Sequence, residues 1–122
     1  MYEIIVKEHF SAAHQLRDIS GMCENLHGHN WRVDISVSSE ILNDIGIVVD
    51  FKVVEDTSKE IIDRLDHQIL NELPIFQDLN PSAENIARYI CEELKRKLNS
   101  DSFRVRKVTV WETDTYGASY SC

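Results

Sequence analysis

Apolar and polar residues alternate through Trp31-Arg32-Val33-Asp34-Ile35-Ser36-Val37-Ser38, the two-residue period of a strand with one covered face. Residues 2–10 read as an earlier strand and residues 30–39 as a second. Asn43-Asp44-Ile45-Gly46 is a turn, and the apolar run Ile47-Val48-Val49 follows it. The period then changes: Val54, Ser58, Ile61, Ile62 and Leu65 share one face of a helix over residues 51–65, with Asp50 as its N-cap. Pro74 and Asn80-Pro81 bracket a loop. Ile86, Ala87, Ile90, Leu94 and Leu98 form the stripe of a second helix, from about 82 to 98. Asn80 or Ser82 caps it, Pro81 fits its first turn, and Lys95, Arg96 and Lys97 suit the negative end of its dipole. Residues 103–112 and 115–121 read as two more strands, joined near Thr113-Asp114.

The order strand, strand, helix, helix, strand, strand predicts an α+β fold with an antiparallel sheet, the helices being inserted between strands two and three. Four strands and two helices leave sheet edge uncovered, and self-association is one way to cover it. A length of 122 residues predicts one domain over 1–122. No stretch approaches the ~20 apolar residues of a membrane span. The opening Met1-Tyr2-Glu3-Ile4-Ile5-Val6-Lys7-Glu8 lacks the basic start and long apolar region of a secretory signal. A net charge of −8 argues against a broad nucleic-acid footprint, and an anionic substrate would need a local basic pocket. Cys23, Cys91 and Cys122 are scattered and contain no CxxC pair, which predicts no disulfide framework and a reducing, cytoplasmic home. Cys91, beside Ile90 in the second helix, and Cys122 are expected to be inert.

Candidate chemistry centres on His27-Gly28-His29, with Cys23 four residues before the pair and His14 further back. Residues i and i+2 leave the same face of a strand, and His27 and His29 share the parity of Trp31. Three imidazoles can hold a zinc ion and leave a fourth position open, the pattern of catalytic zinc. Gly28 would let the backbone pass close between the ligands. Cys23 reads as a fourth ligand, a buried filler, or a base whose pKa a nearby metal would lower. His9 reads as a structural or surface residue rather than a ligand. Asp66-His67, at the end of the first helix, is either a proton-shuttle pair or a helix-end pair. Glu112 is either an exposed strand residue or a two-oxygen acceptor for the planar N–H edge of a guanine-like ring.

Phe10-Ser11-Ala12-Ala13-His14, Cys23-x-x-x-His27-Gly28-His29, Asp50-Phe51, Leu65-Asp66-His67, Pro81-Ser82-Ala83-Glu84-Asn85 and Trp111-Glu112-Thr113 occur in this order. Together they resemble the 6-pyruvoyl-tetrahydropterin synthase family over nearly the whole chain. The compact length is similar to its carboxy-type branch, which serves queuosine and other deazapurine pathways. The resemblance implies the tunnelling fold, a four-stranded antiparallel sheet with two helices on one face. It implies a homo-oligomer in which three subunits close a barrel, two trimers stack into a hexamer, and active sites lie at subunit interfaces. It implies Zn2+ as cofactor and 7,8-dihydroneopterin triphosphate as substrate, with neither nucleic acid nor membrane as partner. Residue by residue, His14, His27 and His29 match the zinc ligands and Cys23 the catalytic thiol. Asp66 and His67 match the pair that works with that thiol in proton transfer. Glu112 matches the carboxylate that anchors the pterin ring, and Ser82, Ala83 and Glu84 match the loop that lines it. Arg17 is a candidate for the triphosphate through its position near His14. Glu24 departs from the carboxy-type pattern. Relatives that feed folate synthesis use a glutamate near this place, so Glu24 reads either as a second catalytic group or as a solvated loop residue. The first reading moves the product toward 6-hydroxymethyl-7,8-dihydropterin.

Overall fold

In the computed structural model of the chain, residues 1–18, 20 and 24–122 are described. The elements are β1 (Tyr2–His14), β2 (His27–Ser39), α1 (Phe51–Asp63), α2 (Ala83–Leu98), β3 (Arg104–Trp111) and β4 (Gly117–Ser121). The strands form one antiparallel sheet in the order β1-β2-β3-β4, so β1 and β4 are its edges. The alternation in β2 decides which face is covered: Trp31, Val33, Ile35 and Val37 are fully buried. They meet the stripes of the two helices, where Val54, Ile61, Leu65, Ile86, Ala87, Ile90 and Leu94 are also fully buried.

Helix starts follow local chemistry. The Asp50 carboxylate accepts from the Lys52 N–H, and the Ser82 hydroxyl accepts from the Asn85 N–H. Gly46 takes a positive φ of 83° in the turn before α1, which glycine adopts at no steric cost. Helix α1 ends at Asp63, earlier than its stripe suggests. There the Arg64 and Leu65 N–H groups reach back only to Ile61 and Ile62, tightening the last turn. The proline-marked loop contains two 3-10 turns, Leu70–Glu72 and Pro74–Phe76, that bury Leu70 and Phe76.

Two expectations are corrected. The paired strands extend further than the alternation alone implies, because Ser11 to His14 pair with Asn30 to His27. This places His27 and His29 inside β2. Second, Cys91 and Cys122 are not separate inert thiols but are joined in a disulfide, with Cα atoms 6.2 Å apart. Cys91 belongs to the buried face of α2, and β4 runs along that helix, where the Tyr120 hydroxyl donates to Glu92 at 2.8 Å. Residue spacing says nothing of this approach, which arises only when β4 adds to the sheet edge beneath α2.

Candidate metal centre

His14 ends β1, and His27 and His29 open β2; antiparallel register sets His14 opposite His27. All three have the parity of the core face, so their rings converge above Trp31, which is buried and donates its indole N–H to the Ala12 carbonyl. The His14 and His29 rings stand edge-on to Trp31 at 4.8 and 5.2 Å. Glu112 joins them from the end of β3, because register pairs Trp111 with Arg32 and carries residue 112 toward the histidines. One ligand atom from each of His14, His27, His29 and Glu112 lies within 4.8 Å of the others.

The histidine tautomers follow from their outer partners. His14 Nδ1 is 2.7 Å from the Pro81 carbonyl oxygen, and His27 Nδ1 is 2.8 Å from that of Asn25. A carbonyl oxygen only accepts, so each Nδ1 carries the hydrogen and Nε2 is the ring atom left to offer a lone pair to a metal. Buried Nε2 atoms of His14 and His29 have no hydrogen-bond partner among the described residues. Glu112 Oε1 is 2.9 Å from His29 Nε2, a close contact but off the line of an N–H donor. It is 3.7 Å from His14 Nε2 and 4.0 Å from His27 Nε2. Burial holds the His29 pKa below its ordinary 6.5; the Glu112 carboxylate opposes that, and the neighbouring His14 and His27 reinforce it. Converging lone pairs on neutral imidazoles, two of them buried and unpartnered, fit a divalent metal such as zinc. For Glu112, an exposed strand residue or a ring acceptor by its sequence position, the geometry adds a third possibility, a candidate fourth metal donor.

The other candidates fall in different places. Cys23 lies outside the described residues. Glu24 is held beside the cluster: its N–H donates to the Leu16 carbonyl and its carboxylate accepts the Leu16 N–H at 3.1 Å. Its Oε1 is 3.9 Å from His27 Nε2, so it borders the site and is not a remote loop residue. Asp66 and His67 dock on the outer edge of β1 at Ser11. The Asp66 carboxylate accepts the Ser11 N–H at 2.9 Å and sits 3.0 Å from His67 Nδ1, while the His67 N–H donates to the Ser11 carbonyl. The Ser11 N–H and then His67 hold the Asp66 pKa below its ordinary value. His67 has a φ of 59°, and its side chain is 81% exposed. This pair is outside the histidine cluster of its own chain. Ser82 and Ala83 begin α2 directly after Pro81, and Glu84 is exposed. Arg17 is engaged elsewhere: its guanidinium donates to the carbonyls of Phe76, Gln77 and Leu79 and to the Asn80 side chain. It holds the loop before α2, and nothing in its bonding points to an anion. Nor does Gly28 mark a close approach, since a Cβ there would sit an ordinary 3.8 Å from the Ala12 oxygen. His9 is exposed, as expected.

Sequence reasoning missed the backbone carbonyls of Pro81 and Asn25, which have no side-chain signature. It also missed the packing behind Glu112: on the opposite face the Trp111 indole N–H donates to Asp34 at 3.0 Å, and Arg32 lies 5.0 Å over its ring.

A four-stranded antiparallel meander with two helices on one face, ending in convergent histidines, defines an α+β protein of the tunnelling-fold class with a candidate metal centre. The chain belongs to the family described as 6-pyruvoyl tetrahydropterin synthase, whose model matches residues 3–122. It is 32% identical over 114 residues to a dihydroneopterin monophosphate aldolase of Pyrococcus furiosus, covering 93% of this chain and 92% of that one. It is 29% identical over 121 residues to a 6-carboxy-5,6,7,8-tetrahydropterin synthase of Aquifex aeolicus, covering 80% and 75% respectively. The solved 6-pyruvoyl tetrahydropterin synthase of Caenorhabditis elegans superposes with a TM-score of 0.87 at 27% identity, covering 99% of this chain and 95% of that one. The chain is thus a member of an enzyme family that acts on pterins.

Proposed function

We propose that the protein converts 7,8-dihydroneopterin triphosphate to 6-carboxy-5,6,7,8-tetrahydropterin, releasing acetaldehyde and triphosphate, as a cytoplasmic step toward deazapurines such as queuosine. The observation that carries this reading is the convergence of the His14, His27 and His29 nitrogens beside the Glu112 carboxylate. Relatives named 6-carboxy-5,6,7,8-tetrahydropterin synthase support the choice of product.

In this reading the three imidazoles hold Zn2+, with tautomers fixed by the Pro81 and Asn25 carbonyls. Zinc bound there supplies Lewis-acid chemistry that acidifies substrate hydroxyls. Cys23 removes a proton from the substrate side chain, and the Asp66–His67 pair returns one to the ring. Asp66, half-buried, and His67, exposed, stand on the sheet edge outside their own histidine cluster, so they serve a neighbouring copy in a hexamer built from trimers. Glu112 accepts paired hydrogen bonds from the pterin edge, which an analogue lacking those donors would leave unpaired. Ser82 lends its hydroxyl to the helix cap, so the lining it gives the pterin, with Ala83 and Glu84, comes from backbone. Arg17 acts by holding the loop that carries Asn80 and Pro81.

One observation favours a second reading. The Glu24 carboxylate accepts the Leu16 N–H and borders His27. Cleavage to 6-hydroxymethyl-7,8-dihydropterin would use it as the base, and one relative bears the name dihydroneopterin monophosphate aldolase. The zinc-loaded protein, given the triphosphate and separately the monophosphate of dihydroneopterin, decides between them by mass spectrometry of the products. A carboxylated tetrahydropterin with acetaldehyde upholds the first reading. A hydroxymethyl product that disappears in Glu24→Gln establishes the second, and no turnover with stoichiometric zinc removes both.

A further inference from the structure

We propose that Cys91 and Cys122 form a thiol–disulfide exchange site that fastens the edge strand β4 to α2 and responds to a low-molecular-weight disulfide such as oxidised glutathione. β4 is only five residues long and pairs with β3 on one side, leaving its other side as a sheet edge. Two of its ties to α2 are exposed and weak: the Tyr120 hydroxyl on Glu92 and the Arg88 guanidinium 6.0 Å over the Tyr120 ring. A covalent tie adds to them, the bond between Cys91, fully buried in α2, and Cys122, which is partly exposed just after β4.

Cys122 Sγ lies 3.4 Å from the Cys91 carbonyl oxygen, so once reduction lets the two sulfurs part, the Cys122 thiol has an acceptor close by. The Cys122 N–H is held at 3.2 Å by the Arg106 carbonyl, which carries the β3–β4 pairing on to residue 122. Exposure sets the order of attack. The Cys122 thiolate displaces one glutathione from the oxidant and forms a mixed disulfide. The Cys91 thiolate then attacks the Cys122 sulfur and releases the second glutathione. Two protein thiols give up two hydrogens, and two glutathione thiols receive them; reduction is the reverse. The closed loop spans a sequence separation of 31 residues, long enough for the bond to restrict the unfolded chain strongly. A fastened β4 presents a rigid edge to another chain, and a freed one frays.

The proposal is independent of the pterin reading, and its test reads no catalysis. The zinc-loaded protein is equilibrated with oxidised or reduced glutathione, quenched in acid, unfolded and alkylated, and digested for peptide mapping. The expected result in oxidised glutathione is one cross-link between the Cys91 and Cys122 peptides, with Cys23 alkylated and the intact chain lighter by two hydrogens. The oxidised form should melt roughly 10 °C above the reduced form. Its β4 amides should exchange more slowly, and Cys122→Ser should show neither difference. Alkylation of both Cys91 and Cys122 after oxidation, a link to Cys23 instead, or equal melting and β4 exchange in the two states would each overturn it.

Discussion

The indole of Trp111 lies so close over Gly117 that a Cβ on that residue would fall 2.7 Å from Trp111 Cε3. The ring is gripped on its other sides by the Asp34 carboxylate and the Arg32 guanidinium, so it cannot retreat without losing both. Gly117→Ala should therefore cost about 1–3 kcal/mol of stability, the usual range for overpacking. It should also weaken metal binding, since Trp111 directly precedes Glu112. Urea midpoints and metal titration of the variant check both effects; an unchanged midpoint would show that the ring moves freely.

His27→Ala should lose stoichiometric zinc, because two imidazoles do not hold an open zinc site tightly. Elemental analysis after dialysis is the readout. Full occupancy in this variant would remove His27 from the ligand set and leave Glu112 as the third donor.

Cys23→Ala should keep zinc and fold while losing most pterin turnover, on the proposed role of that thiol as base. Metal content, circular dichroism and rate on the same preparation separate the outcomes, and near-normal turnover would assign the base to Glu24.

Arg17→Ala should destabilise the protein by about 1–3 kcal/mol, since the Phe76, Gln77 and Leu79 carbonyls lose their guanidinium donor, while Asn80 keeps the Arg17 backbone N–H. The KM for the pterin triphosphate should stay within about threefold, or less than ~0.7 kcal/mol. A much larger rise in KM, with stability unchanged, would return Arg17 to the phosphate site.

Asp66→Asn tests the β1-edge clasp through pH. The folded-state pKa of Asp66 lies below its ordinary 3.8, first through the Ser11 N–H and then through His67. Between those two values the unfolded chain binds more protons, so stability rises with pH there. The contribution is complete above about pH 4 and is lost as pH falls through the lower folded value. Urea midpoints of wild type and variant should differ near neutrality and converge in acid. A constant gap would show that the carboxylate charge is not what matters.

Much of this architecture is legible in the chain because it rests on local periodicity. Trp31 to Val37 alternate and are buried on one face; Val54, Ser58, Ile61, Ile62 and Leu65 follow the helical period and are buried on one side. Asp50 and Ser82 cap as their types prefer. The parity of Trp31 puts His27 and His29 on the covered face once the strand is known to begin that early. What escaped the sequence depends on contacts between distant segments. The strands continue to His14 and from His27 because each supports the other, and neither shows alternation by itself. Glu112 reaches the histidines only through the β2–β3 register. Cys91 meets Cys122 only because β4 lies along α2. The bonds from the Arg17 guanidinium to the Phe76, Gln77 and Leu79 carbonyls are likewise invisible in a sequence, because backbone acceptors carry no residue signature.

The hydrogen bond from His14 Nδ1 to the Pro81 carbonyl joins residues 67 positions apart, at the doorstep of α2. An ion gripped by His14, His27, His29 and Glu112 would gather β1, β2 and the segment after β3 at one point, and through Pro81 would also tether the start of α2. Metal at this centre would then act as a staple on chain topology as well as a reagent. Chelation should lower the melting temperature and loosen the first turn of α2, even where no substrate is present.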